Sequence, residues 1–148
     1  MIKLATIGTS SICDSFVRAA LLTKEFVLYS VYSRKYETGL NFAKGFGCEK
    51  IYTSIYEMAA DPMVEAIYIA SPNSLHFEQS RIFLEAGKHV ICEKPITTNA
   101  KEYALLKKLA DKNGLVYMEA IIPRHTAQYS TVHDAFRKIG RPDRKSVV

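Results

Sequence analysis

Glu93-Lys94-Pro95 directly follows the apolar run at 89–92, so a carboxylate and an ammonium stand side by side at the end of a buried segment. Pro95 restricts the backbone beside them. A cation held this way at the base of a cleft can donate a hydrogen bond to a reacting oxygen, or it can pair with its acidic neighbour. A second stretch, Gly8-Thr9-Ser10-Ser11-Ile12-Cys13, matches the phosphate-binding pattern G-x-G-x-x-G only at its first position. In that pattern the first glycine permits a tight turn, the second lets backbone approach a pyrophosphate, and the third allows close helix packing. Ser10 and Cys13 are small enough to serve in part, so the stretch is either such a loop or an ordinary turn. In a third stretch, Ser33-Arg34-Lys35, a hydroxyl and two cations stand where an acid would grip an adenosine ribose. That suits a ribose 2′-phosphate, and it also suits a basic helix start.

These stretches need elements to position them. Short apolar runs predict strands at 2–7, 26–32, 51–52, 66–70, 89–92 and 116–119. Helical spacing predicts helices at 11–22, 38–46, 54–60, 75–86, 100–113 and 127–139, with Asn99 an N-cap and Gly47, Gly87 and Gly114 beyond helix ends. Strands that alternate with helices and are apolar on both faces imply an α/β fold, a doubly wound parallel sheet of Rossmann type. Ligands then bind outside the carboxyl ends of the strands, which is where the chemistry-bearing residues fall. The loop Ser71-Pro72-Asn73-Ser74-Leu75-His76 lies at that edge too.

The chain has 148 residues, 48% apolar and 24% charged, with 7 Gly and 5 Pro, the balance of one folded domain. Its net charge of +5 comes from lysines that alternate with acids on helix faces, without interleaved aromatics, so no nucleic-acid partner is expected. No apolar stretch has the length of a membrane helix, and none reads as a secretory signal, so no membrane partner and a cytoplasmic location are expected. Cys13, Cys48 and Cys92 form no C-x-x-C, and His76, His89, His125 and His133 show no ligand spacing, so no metal site is expected. Cys13 falls in the first turn of a helix, where it is either a thiol activated by the helix dipole or a small packing residue.

Taken together, the glycine turn at Gly8, the Ser33-Arg34 pair, the Pro72-Asn73 and His76 loop, Glu93-Lys94-Pro95 and Glu119-Ala120 resemble, in order and spacing, the glucose-fructose oxidoreductase, inositol dehydrogenase and rhizopine catabolism family, Gfo/Idh/MocA. The resemblance runs from Ile2 to about Gly140. It implies an oxidoreductase moving hydride between a nicotinamide dinucleotide and a secondary alcohol or ketone of a sugar, cyclitol, other polyol or dihydrodiol. Lys94 would be the catalytic lysine, a buried ammonium stabilising alkoxide character on the reacting oxygen. Cofactor binding would fall to Gly8, Thr9, Ser10, Ser11 and Ile12 along the pyrophosphate, and to Ser33 and Arg34 at the adenosine ribose. Ser71, Pro72, Asn73 and His76 would surround its centre, and Glu93, Lys94 and Pro95 its nicotinamide end. Glu119 and Arg124 would border the substrate cleft. Serine at position 10 keeps the ligand slightly further from the backbone than glycine would. The basic Ser33-Arg34-Lys35 favours NADP, with NAD as the other nicotinamide cofactor.

Family members continue into a second, α+β domain that supplies most substrate contacts and the interface of a homo-oligomer, so this chain reads as the cofactor-binding half. The expected division is a dinucleotide-binding domain at 1–123, the start of a connection at 124–142 and a non-native tail at 143–148, whose residues match a translated sequencing adaptor. The alternative to an enzyme is a stand-alone dinucleotide-binding sensor without catalysis.

Overall fold

The computed structural model describes residues 1–121 and 127–139. Its elements alternate without exception from β1 (Ile2–Ile7), α1 (Ser11–Leu22) and β2 (Phe26–Tyr32) through α2 (Tyr36–Lys44), β3 (Ile51–Tyr52) and α3 (Ile55–Ala60). They continue through β4 (Ala66–Ile69), a 3-10 turn (Asn73–Leu75), α4 (His76–Glu85), β5 (His89–Glu93), α5 (Ala100–Lys112), β6 (Tyr117–Ala120) and α6 (Ala127–Ile139). All paired strands are parallel, in the order β3-β2-β1-β4-β5-β6. This is the expected doubly wound sheet, and its order reverses between β1 and β4.

Side chains alternate across the strands and divide the core between two helix layers. Leu4, Ala66 and Tyr68 pack with Cys13 and Ala20 of α1, and Leu28 and Val31 pack with Val17 and with Ala43 of α2. On the opposite face Ala5, Ile7, Ile67 and Ile69 pack with Met58 of α3, Phe83 and Leu84 of α4, and Leu106 of α5. Tyr68 is fully buried, and its ring stacks on Phe16 of α1 at 3.7 Å between centroids and 4° between planes. That stack fixes α1 over the carboxyl half of β4.

Strands and helices fall where hydrophobic period places them, with differences at the ends. The second helix is Tyr36–Lys44 rather than 38–46, because Lys35 is its extended N-cap residue and no side-chain cap marks the start. The fourth is split into the 3-10 turn and His76–Glu85. The strand expected at 66–70 stops at Ile69, β5 runs on to Glu93, which pairs with Ala120, and β6 covers Tyr117–Ala120. Asn99 caps α5 as expected, its side chain accepting from the Glu102 N–H at 3.0 Å. Ser54 caps α3 rather than lying within it. Among the described residues no helix is long and apolar enough to cross a membrane, and no cluster of His, Cys, Asp and Glu could hold a metal. Arg124 and the expected tail at 143–148 lie outside the described residues.

Candidate dinucleotide site

Because every strand is parallel, Gly8, Ser33, Ala70, Glu93 and Ala120 all emerge at one edge of the sheet. Gly8 has φ +112°, a conformation that L side chains rarely adopt, and an added Cβ would lie 2.7 Å from the Ala70 carbonyl oxygen. The turn thus passes against the neighbouring strand end at van der Waals limits. Ser10 then starts α1 without using its hydroxyl as a cap. The first N–H groups of that helix therefore face outward with the positive end of its dipole. A group with negative oxygens fits there. Cys13 is fully buried behind this turn, and burial, ahead of the neighbouring Asp14 and Glu93 charges, pushes its thiol up to about 12. Of the two readings of Cys13, packing is the one the structure supports.

Two cavities adjoin along this edge, sharing Ala70 and Ser71. One, of about 560 Å³, is lined by Gly8 and Thr9, by Ser33, Arg34 and Lys35, and by Pro72, Leu75 and Gln79. Ser33 accepts the Lys35 N–H at 3.4 Å, so the loop curls around its hydroxyl while the side chains of Arg34 and Lys35 stay exposed. The other, of about 750 Å³, is lined by Ile12, Glu93, Lys94, Pro95, Glu119, Ala120 and Ile121.

The 93–96 turn is held from three sides. From β4, the Tyr68 hydroxyl donates to Glu93 Oε1, while Glu93 Oε2 accepts the Lys94 N–H at 3.3 Å. Burial, then the Glu93 carboxylate, raises the Tyr68 pKa far above its ordinary value, so the phenol is a permanent donor. From α4, His76 Nδ1 lies 2.8 Å from the Pro95 carbonyl oxygen. From β6, Glu119 Oε1 accepts the Ile96 N–H at 2.8 Å. Among the described residues Lys94 has no ion-pair partner, and its side chain is exposed at the cavity wall instead of buried. The Glu93 carboxylate is turned inward to its two donors, which removes the neighbouring ion pair as an explanation for Lys94.

The structure therefore brings Gly8, Thr9, Ile12, Ser33, Arg34, Ser71, Pro72, Glu93, Lys94, Pro95 and Glu119 to the two cavities. Ser10 and Ser11 are exposed at the start of α1. Asn73 is exposed on the 3-10 turn and lines neither cavity, because Pro72 and Leu75 take those walls. His76 is fully buried beneath the loops, with no surface to offer a ligand. Sequence reading missed Gln79, which is nearly buried and accepts the Ser71 hydroxyl at 2.6 Å through Oε1. Its only signal was its place one helical turn after His76.

The sequence profile of the oxidoreductase family with an NAD-binding Rossmann fold matches residues 2–121. The chain belongs to the Gfo/Idh/MocA family. One relative, the scyllo-inositol 2-dehydrogenase (NADP(+)) IolU of Bacillus subtilis, is 40% identical over 140 residues, covering 95% of this chain and 43% of its own. The 1,5-anhydro-D-fructose reductase of Ensifer adhaerens is 33% identical over 138 residues, covering 92% of this chain and 41% of its own. Among solved structures, the 3-ketoreductase KijD10 of Actinomadura kijaniata, in complex with NADP and TDP-benzene, superposes with a TM-score of 0.85 at 28% identity. That match covers 93% of this chain and 42% of KijD10. The chain thus spans about two fifths of the length of these relatives, and its fold is their NAD-binding Rossmann domain.

Proposed function

We propose that this chain is the cofactor-binding part of an NADP-dependent oxidoreductase that interconverts a secondary alcohol and a ketone on a sugar, cyclitol or dihydrodiol. The observation that carries the reading is the pair of adjoining cavities, with the Gly8 turn and Arg34 on one and Lys94 beside Glu93 on the other. Their residues fit a dinucleotide. The tight Gly8–Ala70 approach and the outward N–H groups of α1 suit a pyrophosphate, and the cations after β2 suit a ribose 2′-phosphate. The nicotinamide end would rest by Glu93, Lys94 and Pro95.

When bound, the cofactor supplies or accepts the hydride. The chain's own contribution is to fix Lys94 at the cavity wall, where its ammonium donates a hydrogen bond to the reacting oxygen and stabilises developing negative charge. Glu93 is held for the nicotinamide ribose. The division at 123 and 142, the substrate-side roles of Glu119 and Arg124, a homo-oligomeric complete protein and a cytoplasmic location belong to the same reading.

The absence of an acid after β2 favours NADP over NAD, with Arg34 and Lys35 free to meet the extra phosphate. The names of relatives such as scyllo-inositol 2-dehydrogenase (NADP(+)) and the NADP-bound KijD10 agree with that preference. Calorimetric titration of the chain with each oxidised cofactor, repeated on Arg34→Ala, tests it. The expected result is a preference for NADP of about tenfold that the alanine variant loses. Equal affinities in the parent chain would sink the NADP assignment, and failure to bind either cofactor would sink the reading as a whole.

A further inference from the structure

His76 is fully buried at the first position of α4, and both ring nitrogens point at carbonyl oxygens of separate loops. Nε2 lies 2.9 Å from the Ser71 carbonyl and Nδ1 lies 2.8 Å from the Pro95 carbonyl. Carbonyl oxygens only accept, so a hydrogen bond to either is donated by a ring N–H, of which the neutral imidazole carries one and the imidazolium two. A buried ring with this arrangement has no surface left for a ligand, and its contacts with the two carbonyls set where the two loops sit relative to each other.

The two ends of this link are not equivalent. The Ser71 turn has a second anchor, because its hydroxyl donates to Gln79 on the same helix. The Pro95 carbonyl is met, among the described residues, by His76 alone. Pro95 follows Lys94 and lines only the larger cavity, whereas Ser71 lines both. Loss of the ring would therefore remove the only hold on Pro95 itself among the three that fix the 93–96 turn, and leave the adenosine side, built on Gly8, Ser33 and Arg34, in place.

We infer that His76 is a positioning residue, a strut that fixes the Lys94–Pro95 turn against the Ser71 loop and so sets the nicotinamide end of the site without touching the cofactor. This rests on the dinucleotide reading above. The test is binding of NADPH and of 2′,5′-ADP, which carries the phosphorylated adenosine end but no nicotinamide, to the 148-residue chain and its variants. His76→Leu is expected to weaken NADPH by about tenfold and leave 2′,5′-ADP unchanged. His76→Asn, whose amide nitrogen stands in for Nδ1 and keeps the Pro95 contact, is expected to recover most of the loss. Unchanged NADPH affinity in the leucine variant, equal losses for both ligands, or an asparagine variant as weak as leucine would overturn the strut. Should His76→Leu not fold, His76→Gln replaces it, since its amide reaches towards the Nε2 position and leaves the Pro95 carbonyl unserved. NADPH affinity is then expected to be lower for glutamine than for asparagine, and equal affinities would overturn the inference. A parent chain that binds neither ligand would instead remove the dinucleotide reading on which it rests.

Discussion

Gly8 and Ala70 meet across the point where the strand order reverses, at a separation that leaves no room for a side chain. A Cβ on residue 8 would stand 2.7 Å from the Ala70 carbonyl oxygen and 3.3 Å from its carbon, with backbone at φ +112°. Neither obstacle is a flexible group that can swing away. Gly8→Ala should therefore combine backbone strain of about 1–3 kcal/mol with displacement of the turn. The expected outcome is a Tm lowered by roughly 2–4 °C for each kcal/mol, together with weaker cofactor binding. Thermal melts and titration of the same variant check it, and an unchanged Tm would refute the close approach.

Tyr68 and Glu93 give a second handle on the site, because the phenol serves two separable purposes. Its ring stacks on Phe16 and its hydroxyl donates to the buried Glu93 carboxylate. Tyr68→Phe keeps the stack and deletes only the donor, leaving Glu93 with the Lys94 N–H. A hydrogen bond to a charged group contributes about 1.5–3 kcal/mol, so the variant should lose stability of that order. Denaturant melts should show a lower midpoint at an unchanged slope. A neutral result would mean that the carboxylate finds another donor.

How much of this was legible in the sequence depended on whether the cause was local. Strand 2–7 and helix 11–22 follow from hydrophobic period and turn residues, and both match the structure in full. The start of α2 was misplaced because Lys35 marks it with no capping side chain. At the site, Gly8, Ser33 and Lys94 were legible because position after a strand dictates the edge they occupy. The orientation of the Glu93 carboxylate away from the Lys94 ammonium was not, since it depends on Tyr68, a residue 25 positions earlier. The same holds for His76, which reads as a loop residue around the centre of the cofactor until α4 is folded over Pro95, 19 positions later.

The thiols should be silent towards alkylating reagents in the native state. Burial raises Cys13 and Cys92 from 9.0 to about 12, and raises Cys48 as well. A raised pKa means the folded chain holds these protons where the unfolded chain has begun to release them. The associated stability is thus full below about pH 9 and is lost as pH climbs towards 12. Iodoacetamide at pH 8 is expected to modify no cysteine in buffer and three in denaturant, as read by intact mass. Rapid native labelling at Cys13 would restore the reactive reading of that helix start.

Glu119 stands at the end of β6 with one oxygen committed to the backbone of the Lys94 turn, which makes its role separable by substitution. Ile96 is buried, and its N–H donates to Glu119 Oε1 at 2.8 Å. Glu119→Gln retains an acceptor of the same reach, whereas Glu119→Leu leaves that N–H unpaired. An unsatisfied buried donor costs about 1–3 kcal/mol. The leucine variant should therefore melt lower and bind NADPH more weakly, while the glutamine variant of this chain should match the parent in both. In the complete protein, the two variants divide brace from substrate contact. If Glu119 acts only through Ile96, glutamine preserves turnover; if its charge meets the substrate, glutamine lowers turnover or raises KM with Tm unchanged. A glutamine variant that melts as low as leucine would show that the brace depends on the carboxylate charge and not on its accepting oxygen.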